Sequence, residues 1–397
     1  MMGDVHMNQL SYRDTWAEIS LNHIKENYNQ FRQFISPNVK IMAVVKADGY
    51  GHGATEIAKS TIEAGADYLA VAILDEAIAL RVSGITHPIL VLGYTPKRSV
   101  KAAILENITL TVFDHEVLDE VIIQSNILNK TASIHLKIDT GMSRIGVSSH
   151  EDARILAQKA TNSLHVDLEG IFTHFANADN ENTHLTYSQY NQFQSIVEYL
   201  EDHGIYIPLK HCCNSAAAMK FPDMHLDMVR IGVALYGLYP DTSLKKHMIQ
   251  LKQAMTFKTK IAAIKKVAAT QAISYGWTWK PERESMIATL PLGYADGLSR
   301  LLSNQGKVLV HGNLSNITGR VCMDQTMIDV TDISNCSVGD EVTIFGHSNS
   351  SFQSVDQIAE IMGTINYEVV CLIGKRVPRM FVTNENRIEP AEYIKIK

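Results

Sequence analysis

Lys46 stands directly after the apolar run IMAVV (41–45) and opens KADGYGHG, whose glycines 49, 51 and 53 let a backbone come close to a ligand. A lysine placed where a strand stops can serve as a point charge or, once deprotonated, as the amine of an imine. Losing that proton near neutral pH is favoured by partial desolvation and by a cationic neighbour such as Arg144. A solvated surface group is the commoner occupant of a strand end. Here, however, five other reactive side chains fall at strand ends too. Arg144 lies in the turn after SIHLKI (133–138), His174 closes GIFT, Asn214 and Ser215 follow KHCC, and Arg230 sits late in MVRIG (228–232). Within SIHLKI, Ile134, Leu136 and Ile138 alternate with His135, Lys137 and Asp139, so Lys137 shares the polar face.

Groups gathered at the C-terminal ends of strands need a scaffold that brings those ends together, and the sequence supplies one. After strand-like TWAEIS, the spacing of Ile24, Tyr28, Phe31 and Ile35 predicts a helix. Eight short apolar runs follow: IMAVV, YLAVA (68–72), ILVL (89–92), TLTVF (109–113), SIHLKI, LEGIFT (168–173), IPLKHC (207–212) and MVRIG. Helix-patterned stretches such as EIAKSTIEAG, DEAIALRVSG and QYNQFQSIVEYLEDHG separate most of them, although SAAAMKFP in the last interval is short. Eight strands in such alternation imply an α/β chain with an N-terminal (β/α)8 TIM-like barrel over residues 19–248.

From residue 249 to 397 the texture changes. KTKIAAIKKVAA, SMIATLPLGY, KVLVHG, MIDVTD and EVTIFG are short strand candidates between Gly, Asn and Asp turns, with one helix near SVDQIAEIM. This reads as a C-terminal mostly-β domain, joined by the strand at 12–18.

Length and composition narrow the function classes. The 397 residues suffice for two cores, and a 46% hydrophobic content without a long apolar run excludes a membrane-spanning segment. The opening MMGDVHMNQL has no discernible role, and the first twenty residues lack the basic start and apolar core of a secretory signal, so a cytoplasmic location is expected. A net charge of −6 without a basic run points away from nucleic acid and toward a small-molecule partner. The five cysteines fit neither a disulfide framework nor a metal site, and no metal is expected.

AVVKADGYGHG resembles the cofactor-lysine motif of alanine racemases. The resemblance continues in order through KIDTGMSRIG (137–146), THFANAD (173–179), HCCNSAA (211–217), VRIGVALYG (229–237), SYGWTW (274–279), LPLGYADG (290–297), GRVCMDQTMIDV (319–330) and INYEV (365–369). It implies pyridoxal 5'-phosphate held by Lys46 as a Schiff base. Tyr50, Ser215 and Tyr367 would bind its phosphate with the backbone N–H groups of Gly232 and Val233, a neutral donor set suited to a dianion, and Asn214 would stand beside them.

Arg230 matches the arginine that faces the pyridine nitrogen. An arginine only donates hydrogen bonds, so the nitrogen stays unprotonated and the ring is a weaker electron sink, which suits racemisation. His211 resembles the histidine that supports this arginine. Arg144 would contact the cofactor's phenolic oxygen and the substrate, and Lys137 matches a lysine that carries a carbamate in several relatives. Racemisation uses a base on each face of the α-carbon. The resemblance assigns these to Lys46 and Tyr275, with His174 supporting Tyr275 and the backbone N–H of Met323 near the substrate carboxylate. Tyr294 and Asp324 would line the access path.

The same resemblance implies a homodimer with shared active sites, in which Tyr275 of one copy serves the barrel of the other. The implied reaction is interconversion of L- and D-alanine, supplying D-alanine for peptidoglycan. Serine or broad-specificity racemisation is the nearest alternative. A pyridoxal-barrel decarboxylase, which typically pairs the ring nitrogen with Glu, and a non-catalytic cofactor carrier lacking a β-domain stand further off. Two departures are visible: Ile231 stands where the family often has Pro, and the pair Cys212, Cys213 precedes Asn214.

Overall fold

The computed structural model describes residues 12–246, 249–383 and 387–388. MMGDVHMNQL, residues 247–248 at the expected barrel end, and the residues from 389 onward lie outside the described residues. The chain forms two compact units, divided between His23 and Ile24 and again between Lys252 and Gln253.

In the first strand, β1 (Thr15–Ser20), buried Thr15, Ala17 and Ile19 alternate with half-exposed neighbours. The helix Leu21–Phe34 follows at once, its first turn capped by the Ser20 hydroxyl, which accepts the His23 N–H at 3.2 Å. Ile24, Tyr28 and Phe31 are fully buried along one face, as their spacing requires.

The barrel strands are β2 (Lys40–Val44), β3 (Tyr68–Val71), β4 (Ile89–Val91), β5 (Thr109–Val112), β6 (Ala132–Lys137), β7 (Val166–Phe172), β8 (Leu209–His211) and β9 (Met228–Ile231). They pair in parallel in the order β8-β7-β6-β5-β4-β3-β2-β9. Strands covered on both faces need apolar residues on both, which is why the sequence shows continuous runs here rather than alternation. Between β8 and β9 there is no ladder. Individual bonds bridge that seam: Arg230 N–H donates to the Cys213 carbonyl at 3.0 Å, Asp227 N–H to the Lys210 carbonyl at 3.1 Å, and the Asp227 carboxylate accepts from Lys210 N–H at 2.8 Å. SAAAMKFP forms the six-residue helix Ser215–Lys220, whose N-cap Asn214 accepts from Ala217 N–H at 3.0 Å.

The second unit is mostly β: β10 (Met255–Lys260), β11 (Ala263–Val267), β12 (Ser285–Leu290), β13 (Lys307–Val310), β14 (Asn313–Ile317), β15 (Thr326–Asp329), β16 (Glu341–Ser348), β17 (Ser351–Gln353), β18 (Arg379–Val382) and β19 (Arg387–Ile388). β1 lies between β10 and β18 in the same sheet. Where the sequence reads KTKIAAIKKVAA as one strand, the chain breaks at Ile261 and Ala262 and its halves pair with different partners. Two further helices, Val355–Met362 and Asn366–Cys371, complete the unit, the first opened by a Ser354/Gln357 capping box.

A buried carboxylate organises one end of this unit. Asp296 accepts from Arg13 at 2.5 Å, Arg376 at 2.7 Å and Gly293 N–H at 2.9 Å, while Arg376 also reaches Asp324 at 2.5 Å. Tyr294 and Ala295 N–H donate to the carbonyls of Cys322 and Met323 at 3.0 and 3.1 Å, so this clasp fixes the loop that carries Met323. Gly293 is obligatory there, because a Cβ would lie 2.2 Å from the Cys322 carbonyl oxygen.

Phe31 is fully buried on the apolar face of the helix Leu21–Phe34. Phe31→Ala is expected to destabilise the protein by about 3–5 kcal/mol through lost burial and a residual cavity. Urea unfolding of the variant beside the parent checks this, and a loss below about 1 kcal/mol would contradict the packing described.

Candidate active site

At the end of β2 the chain reverses within five residues. Val45 N–H donates to the Ala70 carbonyl at 2.8 Å, and Ala47, Asp48, Gly49 and Tyr50 all adopt left-handed φ between 52° and 61°. Three of the four are not glycine, so the turn stores strain that its surroundings must hold. Glu76 does much of this, accepting Ala47 N–H at 2.6 Å and Ala72 N–H at 2.7 Å. Asp48 accepts Ala54 N–H at 2.9 Å. Half-buried Lys46 emerges from this turn with Nζ 5.9 Å from the Tyr50 ring centroid.

Across the strand ends, Arg230 is almost fully buried and heavily bonded. Nη1 donates to His211 Nδ1 at 2.8 Å and the His211 carbonyl at 3.2 Å. Nη2 donates to the carbonyls of Thr173 at 2.8 Å and Cys212 at 2.9 Å, and to His174 Nδ1 at 3.3 Å. Burial brings its pKa down to about 10, so it stays charged at neutral pH. The other basic groups yield to it. Burial, then the charges of Arg230 and Arg144, push Lys137 well below the ordinary lysine range. Burial and Arg230 likewise hold His174 and His211 well below the histidine range.

Phe172 joins these groups. Its ring stacks on His211 at 4.8 Å with 2° between planes, and lies 4.7 Å from Lys137 Nζ and 5.4 Å from Arg230 Cζ. Arg144, by contrast, is exposed.

A third group of side chains converges on Gly232. Its N–H donates to Ser215 Oγ at 2.8 Å, and a Cβ on it would stand 2.7 Å from the Tyr50 hydroxyl. Only glycine allows that approach. Tyr50, whose ring packs on Tyr236 at 4.9 Å, and Ser215 and Val233 are all buried, gathering neutral polar groups around Gly232.

The remaining expected residues belong to the β unit. Tyr275 and Met323 are 70% and 53% exposed and border an open hollow of about 680 Å³ with Ser274, Trp277 and Asp324. Ser274 and Trp277 have φ of 64° and 49°, and Ser274 Oγ donates to the Arg320 carbonyl at 2.7 Å, bracing the turn that presents Tyr275. Tyr367 is half-buried on the helix Asn366–Cys371.

The structure thus brings together Lys46 with Tyr50, Ser215 with Gly232, and Arg230 with His174, His211 and Lys137. Sequence reasoning missed Glu76, Phe172 and Gln189. Gln189 accepts Ala176 N–H at 2.9 Å and so anchors the loop after His174. None of the three carries a motif signal.

The barrel thus sets a strained lysine turn at one strand end and one buried, charged arginine at another, where the reactive side chains of an enzyme of this fold class gather. Family comparison makes this specific. Family models for "Alanine racemase, N-terminal domain" and "Alanine racemase, C-terminal domain" match residues 19–240 and 254–381. Alanine racemase 2 of Oceanobacillus iheyensis is 54% identical over 382 residues, covering 96% of this chain and 97% of that protein. Among solved structures, a Clostridium difficile alanine racemase has TM-score 0.91 at 41% identity, covering 96% of this chain and 98% of its own. A Bacillus anthracis alanine racemase with bound L-Ala-P has TM-score 0.91 at 40% identity, covering 96% and 97%. The chain belongs to the alanine racemase family.

His174 and His211 are held neutral in the fold but bind protons in the unfolded chain below an ordinary pKa of about 6.5. The unfolded state then takes up more protons, so stability is lost as pH falls below that value, by up to about 1.4 kcal/mol per pH unit for each group. Thermal unfolding at pH 7.5 and 5.5 checks the sign: the midpoint is expected to be lower at pH 5.5.

Proposed function

We propose that this chain interconverts L-alanine and D-alanine with pyridoxal 5'-phosphate as cofactor. The observation that carries the reading is the state of Arg230. Both terminal nitrogens are committed to protein acceptors, and among the described residues Nε–H is the one guanidinium donor that none accepts. A ring nitrogen facing it receives a hydrogen bond but no proton. A decarboxylase-type site, with a carboxylate there, is not favoured. The cluster of Tyr50, Ser215 and Gly232 fits the phosphate, since it gathers neutral hydroxyl and N–H groups where glycine lets the Tyr50 hydroxyl approach the backbone.

When bound, the cofactor supplies an electron-withdrawing ring that makes the α-hydrogen of an attached amino acid acidic. Lys46, at the strand end beside Tyr50, holds the cofactor and moves the α-proton on one face; Tyr275 moves it on the other. His174, with Nδ1 turned to Arg230, carries its hydrogen on Nε2, from which it donates to the Tyr275 oxygen. Arg144 and the Met323 N–H receive the substrate carboxylate. Lys137, pushed well below the ordinary lysine range and facing Phe172, is an amine suited to carbamate formation, which would give Arg144 an anionic partner.

The protein works as a homodimer in which Tyr275 and Met323, exposed on the β unit, complete the site of the other copy. Mixing Lys46→Ala chains with Tyr275→Phe chains tests the sharing. Each variant alone is expected to be nearly inactive, and refolding them together is expected to restore roughly a quarter of parental activity, through mixed dimers with one intact site. No recovery would mean that each chain uses its own tyrosine.

The reaction itself is read by circular dichroism of L-alanine incubated with the cofactor-loaded protein. The signal is expected to decay to zero without carbon dioxide release, and more slowly for L-serine. A persistent signal would overturn the reading. Intact mass in bicarbonate is expected to show one carbamate at Lys137, and plain lysine there would contradict that assignment.

A further inference from the structure

The polar chain behind Arg230 does not stop at His211. His211 Nε2 lies 2.9 Å from His135 Nδ1, His135 Nε2 lies 3.4 Å from Glu169 Oε2, and the same carboxylate accepts from the Tyr68 hydroxyl at 2.5 Å. Both imidazoles are fully buried. We propose that His135, Glu169 and Tyr68 form a tautomer lock through the barrel core, positioning residues that hold His211 with its hydrogen on Nε2 so that Nδ1 can only accept from Arg230.

The lock follows from donor and acceptor counting. A guanidinium only donates, so His211 Nδ1 at 2.8 Å must accept. The His211 hydrogen is therefore on Nε2 and points at His135 Nδ1, which must also accept. The His135 hydrogen is then on its own Nε2, which faces Glu169 Oε2 at 3.4 Å but lies outside hydrogen-bond geometry. The chain begins in an obligate donor and ends in an obligate acceptor, so each imidazole between them has one arrangement. Reversing either ring would set two donors against each other inside a sealed core.

The backbone is built around the His135 ring. The register between β6 and β7 shifts between Ile134 and His135, bringing His135 opposite Gly170. A Cβ on Gly170 would lie 2.5 Å from His135 Nδ1, so no other residue leaves room for the ring. The charge pattern agrees with an ionised Glu169. Burial raises its pKa, but the hydrogen bond from Tyr68, the facing His135 and the nearby Lys40 outweigh that, while Asp167 on the same strand is raised by burial and by the Glu169 charge.

The catalytic consequence rests on the proposed role of Arg230 toward the cofactor, but the lock itself does not. Neutron diffraction from deuterium-exchanged crystals reads it directly. Deuterium is expected on Nε2 of both His211 and His135 and on neither Nδ1; deuterium on either Nδ1 would overturn the proposal. The variants Gly170→Ala and Glu169→Leu are then compared with Glu169→Gln, which keeps an acceptor oxygen. The first two are expected to lose roughly tenfold in kcat for alanine with KM and cofactor affinity little changed, and Gln to recover most of the loss. A loss confined to KM or cofactor affinity, or equal loss in Gln and Leu, would also overturn it. If these variants do not fold, the neutron result on the unaltered protein decides alone. Should the protein show this hydrogen pattern yet fail to racemise alanine, the functional reading fails and the lock stands.

Discussion

A guanidinium sealed inside a barrel wall must find acceptors for its donors, and the placement of Arg230 governs much of the surrounding structure. It draws on three backbone carbonyls, of Thr173, His211 and Cys212, and on two imidazoles. Those carbonyls lie at the ends of β7 and β8, and Arg230 itself is on β9. No ladder joins β8 to β9, so the side chain of Arg230 and its backbone N–H bridge the seam of the barrel. Closing the fold and positioning the charge are here one event, which explains why a buried cation is tolerated where an unpaired one would cost several kcal/mol.

One charge retained at this depth excludes others. Lys137 Nζ and Arg230 Cζ both lie over the Phe172 ring, and burial with the neighbouring arginine charges pushes the lysine well below its ordinary range, while the intrinsic basicity of arginine survives a fall to about 10. His174 and His211 follow the lysine. The cluster therefore presents one fixed positive charge beside two neutral imidazoles and a lysine whose charge is disfavoured, rather than a repelling set of cations. The same cause that disfavours the charge of Lys137 favours its nucleophilic amine form.

Much of this was legible in the sequence because it depends on local pattern. The apolar runs mark barrel strands buried on both faces, Ile24, Tyr28 and Phe31 mark a helix face, and the motif glycines mark the Lys46 turn. What was illegible depends on distant partners. NLSNI (313–317) is polar at three of five positions and gives no strand signal, yet it pairs with β13 and β15 through backbone bonds that do not depend on side-chain type. The helix Asn366–Cys371 is six residues, too short for a periodic pattern. Glu76, Gln189 and Glu169 act on backbone or side-chain groups many residues away, and an acidic or amide residue in a helix or strand looks the same whether or not it has such a target.

Glycines offer a way past that limit. Gly170, Gly232 and Gly293 lie outside the left-handed region, so no turn requires them; each is needed because a particular atom occupies the space of its missing Cβ. Those atoms belong to the His135 ring, the Tyr50 hydroxyl and the Cys322 carbonyl, and each helps to place a proposed site residue. A glycine within or beside a strand, with no turn to serve, is thus a sequence-level mark of a close approach. In EGIF (169–172) it sits between Glu169 and Phe172, so the mark was present beside the very residues that motif reading passed over. Motifs identify groups that meet the ligand; glycines without a turn identify where the groups that hold them must pack.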